Sequence, residues 1–195
     1  NVLGIADEQY DNLRPELKSA LTEYFRVNDM HNYDELVRAL GYFTHRYGKL
    51  DRLDSHNEYW LETEARLRTD FNIPGIRTDQ IERIKRKSKM KEAFLEAGIK
   101  VPRGGVVRDM DEAMAVIQQT GYPLVAKPDI GVGAAATYKI HDVYELKSFF
   151  ETKPPVDYML EEFVDGQIIT YDGLTDREGT PVFTNAMVYS AGIME

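Results

Sequence analysis

The chain has no cysteine among its 195 residues. That removes disulfides, cysteine-ligated zinc and thiol catalysis, and it fits a cytoplasmic protein without establishing one. No apolar run approaches the roughly 20 residues a bilayer-spanning helix needs, so no membrane partner is expected. Histidine is scarce, and His31, His45, His56 and His141 stand at no metal-ligand spacing. Ser88 and the other hydroxyl residues have no evident base, which leaves nucleophilic catalysis without support. Excess positive charge is also missing. With 24 Lys and Arg against 33 Asp and Glu, the net charge is −9, which argues against a nucleic-acid partner. There is no visible signal peptide, internal repeat or low-complexity segment. The first residue is Asn1 rather than methionine, so we expect a piece of something longer.

What is present is an ordinary soluble composition, 43% apolar and 29% charged, in a chain long enough for one or two domains. The most informative stretch is 122–137. A short apolar strand ends in Lys127, a loop of glycine and alanine follows over 131–136, and a second strand-like run covers 137–140. Small residues let backbone N–H groups approach an anion, and a lysine just before them adds a full charge. The pairing points to a nucleotide phosphate. The P-loop pattern is excluded, because the lysine precedes the glycines. Gly131, Gly133 and Ala136 do fit G-x-G-x-x-A, but that fingerprint must open a helix. Here the glycines lead into β-branched and aromatic residues that read as strand. The spacing therefore predicts a hairpin whose loop is a flap over phosphates. The bland alternative is an ordinary hairpin with a flexible tip.

The rest of the chain alternates strands and helices. Strands are expected at 1–5, 22–27 and 50–53, with a short helix at 15–21 and a helix over 34–47 capped by Asn32, with Glu35 closing a capping box. A second box at 55–58 opens a helix to about Phe71, with Trp60, Leu67 and Phe71 on its apolar face. Strands alternating with helices imply a parallel sheet. One long basic helix is expected over 77–98, stopped by Gly98 and Pro102. A strand at 106–107, a helix from Asp109 or Asp111 to about Thr120, the hairpin, a helix over 142–150 and a strand at 157–163 follow. Strands at 167–174 and 181–189 then form an antiparallel hairpin around the turn 176–179.

Four features recur in a fixed order: Lys87 in the basic helix, Lys127 at a strand end, the glycine loop, and Leu160-Glu161-Glu162-Phe163-Val164-Asp165-Gly166 at a later strand end. In this the chain resembles the ATP-grasp superfamily, the fold of biotin carboxylase, the large chain of carbamoyl-phosphate synthetase and many carboxylate–amine ligases. The resemblance runs from about Arg77 to the end. It implies an α/β chain: a parallel-sheet, Rossmann-like pre-ATP-grasp domain over 1–76, which the resemblance allows to lack its first strand and helix, then a truncated ATP-grasp domain over 77–195. The latter would hold a lid subdomain at about 103–161 and the start of an antiparallel-sheet subdomain.

The resemblance also implies roles. Lys87 and Lys127 would contact the α- and β-phosphates. The loop 130–135, with Ile130, Gly131, Val132 and Gly133, would close over the β- and γ-phosphates. Glu161 and the backbone of Glu162, Phe163 and Val164 would hold adenine, whose N6 needs an acceptor and N1 a donor. Many relatives carry a ribose-binding Glu two residues after the glycine equivalent to Gly166. Here that position is Ile168, leaving Gln167 or Asp172 as candidates. The cofactors would be ATP and magnesium, with the magnesium ligands expected beyond the end of this chain. The reading is the ATP-binding front half of a ligase that joins a small carboxylate, or bicarbonate, to an amine or thiol through an acyl phosphate. The piece itself would be inactive, and a homodimer is open to the full-length protein. A non-catalytic nucleotide-binding or interaction module is the alternative. For the basic run 85–91 the alternatives are a solvated helix face or a nucleic-acid patch, and for Glu161-Glu162 a surface strand end.

Overall fold

A computed structural model describes residues 1–131 and 135–190. The chain divides into two units, Asn1–Glu82 and Arg83–Glu195.

In the first unit, β1 (Leu3–Ala6) and β2 (Glu23–Arg26) pair in parallel, with Leu3 opposite Glu23 and Ala6 opposite Arg26. Parallel neighbours need a crossover, and α1 (Pro15–Ala20) supplies it, with Pro15 where a missing N–H does no harm. Next, α2 (Tyr33–Tyr47) starts at Asn32, whose side chain accepts the N–H of Asp34 at 3.1 Å. It ends at Gly48, at φ +81°. Its inward face, Leu36, Ala39 and Leu40, meets Val27, Ile73 and Leu67 in one core. Leu67 lies on α3 (Leu61–Asp70).

Three expectations fail here. Glu35 does not close a capping box. The Asn32 N–H is already donated to the Asp29 carbonyl, and the Glu35 carboxylate takes the Asn28 N–H at 2.6 Å instead. The segment 50–53 is not a strand, though Leu50 and Leu53 do pack on the core. The Leu53 carbonyl is bound by Nε of Arg68 at 3.0 Å rather than by a neighbouring strand. Arg68 is buried and its charge is balanced by Glu64 and Asp54, each 2.8 Å away. Among the described residues the parallel sheet of this unit therefore has two strands. The helix expected from Ser55 is capped at Asn57, which accepts the Tyr59 N–H at 2.9 Å, and it enters α3 through a 3₁₀ turn, Glu58–Trp60. Trp60 is half-buried, with its ring 5.2 Å from that of His31, and Phe71 packs on the core.

A fourth expectation is corrected as well. The basic segment 77–98 is not one helix. It holds α4 (Glu82–Lys85) and α5 (Lys87–Glu96), separated at Arg86, whose backbone is extended at φ −91°, ψ 121°. The lid follows: β3 (Gly104–Val107), α6 (Met110–Thr120), β4 (Leu124–Pro128), β5 (Tyr138–Ile140), α7 (Val143–Thr152) and β6 (Tyr158–Glu162). The sheet order is β3-β6-β4-β5, with every pair antiparallel. Asp109 and Asp142 cap the two lid helices. Because Tyr138 to Ile140 pair with Ala126 to Leu124, the glycine loop joins two strands of a hairpin, and the dinucleotide fingerprint is excluded. Both lid helices cover one sheet face. Ala113, Leu146 and Phe149 meet Leu124, Ala126, Ile140, Tyr158 and Leu160 there. Finally β7 (Ile169–Thr175) and β8 (Pro181–Val188) form the expected antiparallel hairpin, with Ile169 opposite Val188.

Candidate functional site

A strand sends alternate side chains to opposite faces. In β4, Leu124 and Ala126 go to the helix-covered core, so Val125 and Lys127 go to the other face. In β6, Glu161 lies opposite Val125 and Met159 opposite Lys127, so Glu161 joins them. Lys127 and Glu161 are thus diagonal neighbours, close enough for long side chains to meet. They form an ion pair through Nζ of Lys127 and Oε2 of Glu161. Glu161 is 4% exposed, and a carboxylate that buried needs partners. Its second partner is Lys91 of α5, whose Nζ donates to Oε1 at 2.8 Å and to the Gly104 carbonyl at 3.0 Å. Gly104 is the register partner of Glu161. It needs its missing side chain: at φ +129°, a Cβ there would sit 2.1 Å from the Leu160 carbonyl oxygen.

Lys91 and Lys87 are four residues apart, hence on one face of α5. The Nζ of Lys87 donates to the Gly131 carbonyl at 3.0 Å, at the mouth of the glycine loop. The structure thus sets Lys87 and Gly131 together, and Lys127 lies one strand end away from that loop. Ile130 is exposed beside them. Val132 and Gly133 lie outside the described residues. Asp129 is 2% exposed and ties these pieces together. Its carbonyl accepts the Lys87 N–H at 2.9 Å and its Oδ1 the Ser88 N–H at 2.8 Å. Its Oδ2 lies 3.1 Å from the Arg86 guanidinium.

At the end of β6 the backbone groups divide. The N–H of Glu162 goes to the Arg103 carbonyl and that of Phe163 to the Pro123 carbonyl, at 2.9 and 3.1 Å. Among the described residues nothing accepts the Val164 N–H, and Val164 is exposed. The Glu162 side chain faces Arg103, with Oε2 held at 2.8 Å by Nε, and this hydrogen-bonded guanidinium lowers its pKa below the ordinary carboxylate value. The Lys139 ammonium lies 3.7 Å from the centre of the Phe163 ring, a cation–π contact. Gln167 is exposed in the following loop and Asp172 is exposed on β7, opposite Asn185. Neither is drawn to the other site residues by any described hydrogen bond.

Lys91, Asp129 and Lys139 escaped the sequence reading. Lys91 has a legible signal, since it repeats Lys87 one helical turn on. Asp129 has none, because a helix cap is normally sought just before its helix.

The described residues form no ready-made metal cage, and magnesium in nucleotide sites is commonly held by one or two carboxylates together with phosphates. Among the described residues no group of three or more His, Asp or Glu side chains converges. The residues present fit an anion flanked by cations at one end of the lid, and an unused backbone donor at the end of β6.

This architecture is the ATP-grasp fold, seen in part. No protein-family model matches the chain. In sequence it is 25% identical over 183 residues to the C-terminal section of the carbamoyl phosphate synthase large chain from Methanopyrus kandleri, covering 88% of this chain and 31% of that one. In structure it matches N5-carboxyaminoimidazole synthetase from Staphylococcus aureus, solved with ADP, at TM-score 0.73 and 14% identity, over 98% of this chain and 49% of that one. The biotin carboxylase domain dimer of 2-oxoglutarate carboxylase from Hydrogenobacter thermophilus, solved with MgADP, ADP and bicarbonate, matches at TM-score 0.70 and 19% identity, over 92% and 42%. The chain therefore spans about a third of this curated relative and under half of each of these two solved chains.

Proposed function

We propose that this chain is the nucleotide-binding part of an ATP-dependent ligase, one that activates a small carboxylate or bicarbonate as an acyl phosphate for attack by an amine or thiol. One observation carries the reading. Cations from two separate elements, Lys87 of α5 and Lys127 of β4, flank a loop whose near end, Gly131, is already within hydrogen-bond reach of Lys87. Lysines act on phosphates as point charges, and small-residue loops offer amides to the oxygens.

The adenine would lie against the end of β6. The Glu162 and Phe163 N–H groups are already in use, so Val164 is the donor for N1. Gln167 and Asp172 remain the candidates for the ribose. Loop residues Ile130 and Gly131 would close over the outer phosphates. ATP supplies the phosphoryl group, and this chain's own share is to bind and orient it and to offset its charge. No step is assigned through a metal.

Calorimetry with ATP tests the reading. Lys127→Ala removes a charge-assisted contact of about 1.5–3 kcal/mol, a loss of roughly ten- to a hundredfold in affinity. The chain should bind ATP without releasing ADP. Undiminished affinity in the variant would remove Lys127 from the site, and steady ADP release would place catalytic groups within this chain.

A further inference from the structure

We infer that Asp129 is a positioning residue for Lys87, acting by fixing the start of α5 from across the lid. The inference rests on the nucleotide reading above for its consequence, but not for its geometry.

A helix start leaves four N–H groups without partners, and the cap usually comes from the residue just before it. For α5 that residue is Arg86, which makes no side-chain capping bond. The partners come instead from Asp129, at the exit of β4. Its carbonyl takes the Lys87 N–H and its Oδ1 takes the Ser88 N–H, 41 residues away in sequence. A buried carboxylate at a helix N-terminus also meets the positive end of the helix dipole. Arg86 balances the remaining charge, 3.1 Å from Oδ2, and reaches toward Asp157 at 3.8 Å. Asp129 is itself held, since its N–H donates to the Asp157 carbonyl at 2.9 Å.

The consequence lies in where Lys87 starts. A lysine stem is flexible, so the reach of its ammonium is set by its Cα. Asp129 binds the backbone of that very residue, and Asp129 is two residues from Gly131, whose carbonyl receives the ammonium. One residue thus holds both ends: its main-chain carbonyl takes the Lys87 N–H, its side chain steadies the same helix start through Ser88, and its chain runs on into the loop that Lys87 serves. It also accounts for the extended Arg86: a continuous helix would direct the Lys87 and Ser88 N–H groups to its own carbonyls.

The test combines amide exchange with ATP calorimetry. In Asp129→Ala the Ser88 amide should exchange roughly fivefold faster, as for an ordinary lost cap, and ATP should bind about tenfold more weakly. Asp129→Asn keeps an acceptor oxygen and should restore both to within about threefold of the parent. In a Lys87→Ala background, Asp129→Ala should weaken ATP no further, because its effect passes through Lys87. Additive losses would show that Asp129 acts elsewhere and overturn the proposal, as would unchanged Ser88 exchange. If the parent chain binds no ATP, the nucleotide reading fails and the phosphate role falls with it, while Ser88 exchange still decides whether Asp129 holds the helix. Should Asp129→Ala not fold, Arg86→Gln replaces it: it strips the buried carboxylate of its counter-ion and should lower ATP affinity in the parent but not beside Lys87→Ala. Equal losses in both backgrounds would again overturn the assignment.

Discussion

Lys127 and Glu161 share the face of the lid sheet that turns away from α6 and α7, two residues out of register across β4 and β6, and their side chains pair there. Lys127, the lysine proposed to contact phosphate, is thereby held by a buried carboxylate, and that carboxylate is shared with Lys91.

Removing the shared charge should destabilise the lid. Glu161→Gln leaves two ammonium groups near each other with no anion between them. We predict a loss of about 1–3 kcal/mol in urea unfolding. The double variant Glu161→Gln, Lys91→Met should recover part of it, because it removes one of the unpaired cations. No recovery would mean that Lys91 does not act through Glu161.

Gly104→Ala should be harmful although it adds one methyl group. The position has φ +129°, and the new Cβ would meet the Leu160 carbonyl oxygen at 2.1 Å. Backbone cannot yield as a flexible side chain does, so we expect a loss of about 1–3 kcal/mol, read as a lowered melting temperature. Gly105→Ala, with no atom within 4 Å of its Cβ, is the control and should melt like the parent.

Acid should weaken the Arg103–Glu162 contact. The Glu162 pKa is lowered in the folded chain, chiefly by its hydrogen bond from Arg103. A depressed carboxylate contributes stability above its unfolded pKa of about 4.3 and loses it as pH falls through the lower folded value. Glu162→Gln should therefore lower the melting temperature at pH 7 and flatten its fall below about pH 4.3. Parallel pH profiles for variant and parent would count against the pair.

The terminal hairpin carries a further expectation. Ile169, Tyr171 and Val188 share one of its faces and are 54–70% exposed. Contiguous exposed apolar side chains promote association. The double variant Ile169→Thr, Val188→Thr should raise the concentration at which the chain stays monomeric in light scattering. Its melting temperature should hardly move, since exposed substitutions stay within about 0.5 kcal/mol.

Much of the architecture was legible because it follows from local rules. Glycine and alanine ahead of a β-branched run meant a hairpin, and β5 pairs with β4 as that reading required. The helices expected over 34–47, to about Thr120 and over 142–150 form as α2, α6 and α7, and Asn32, Asp109 and Asp142 cap as their side-chain chemistry allows. The hairpin of β7 and β8 followed from two strand-like runs around a polar turn. Lys127, at the end of an apolar strand before small residues, stood out for the same reason.

What the tertiary structure alone decided concerns polar groups whose partners are far away in sequence. The run 50–53 has strand composition, yet the Leu53 carbonyl belongs to Arg68. The basic segment 77–98 has helical composition, yet it breaks at Arg86 because the N–H groups of Lys87 and Ser88 are taken by Asp129. Glu161 reads as a strand-end acid, yet it is buried between Lys91 and Lys127. Composition and periodicity report which side chains seek the core and which backbone conformations are cheap. They do not report which distant donor meets which acceptor, because that pairing exists only once the sheet has set its register and α5 has been tied to it.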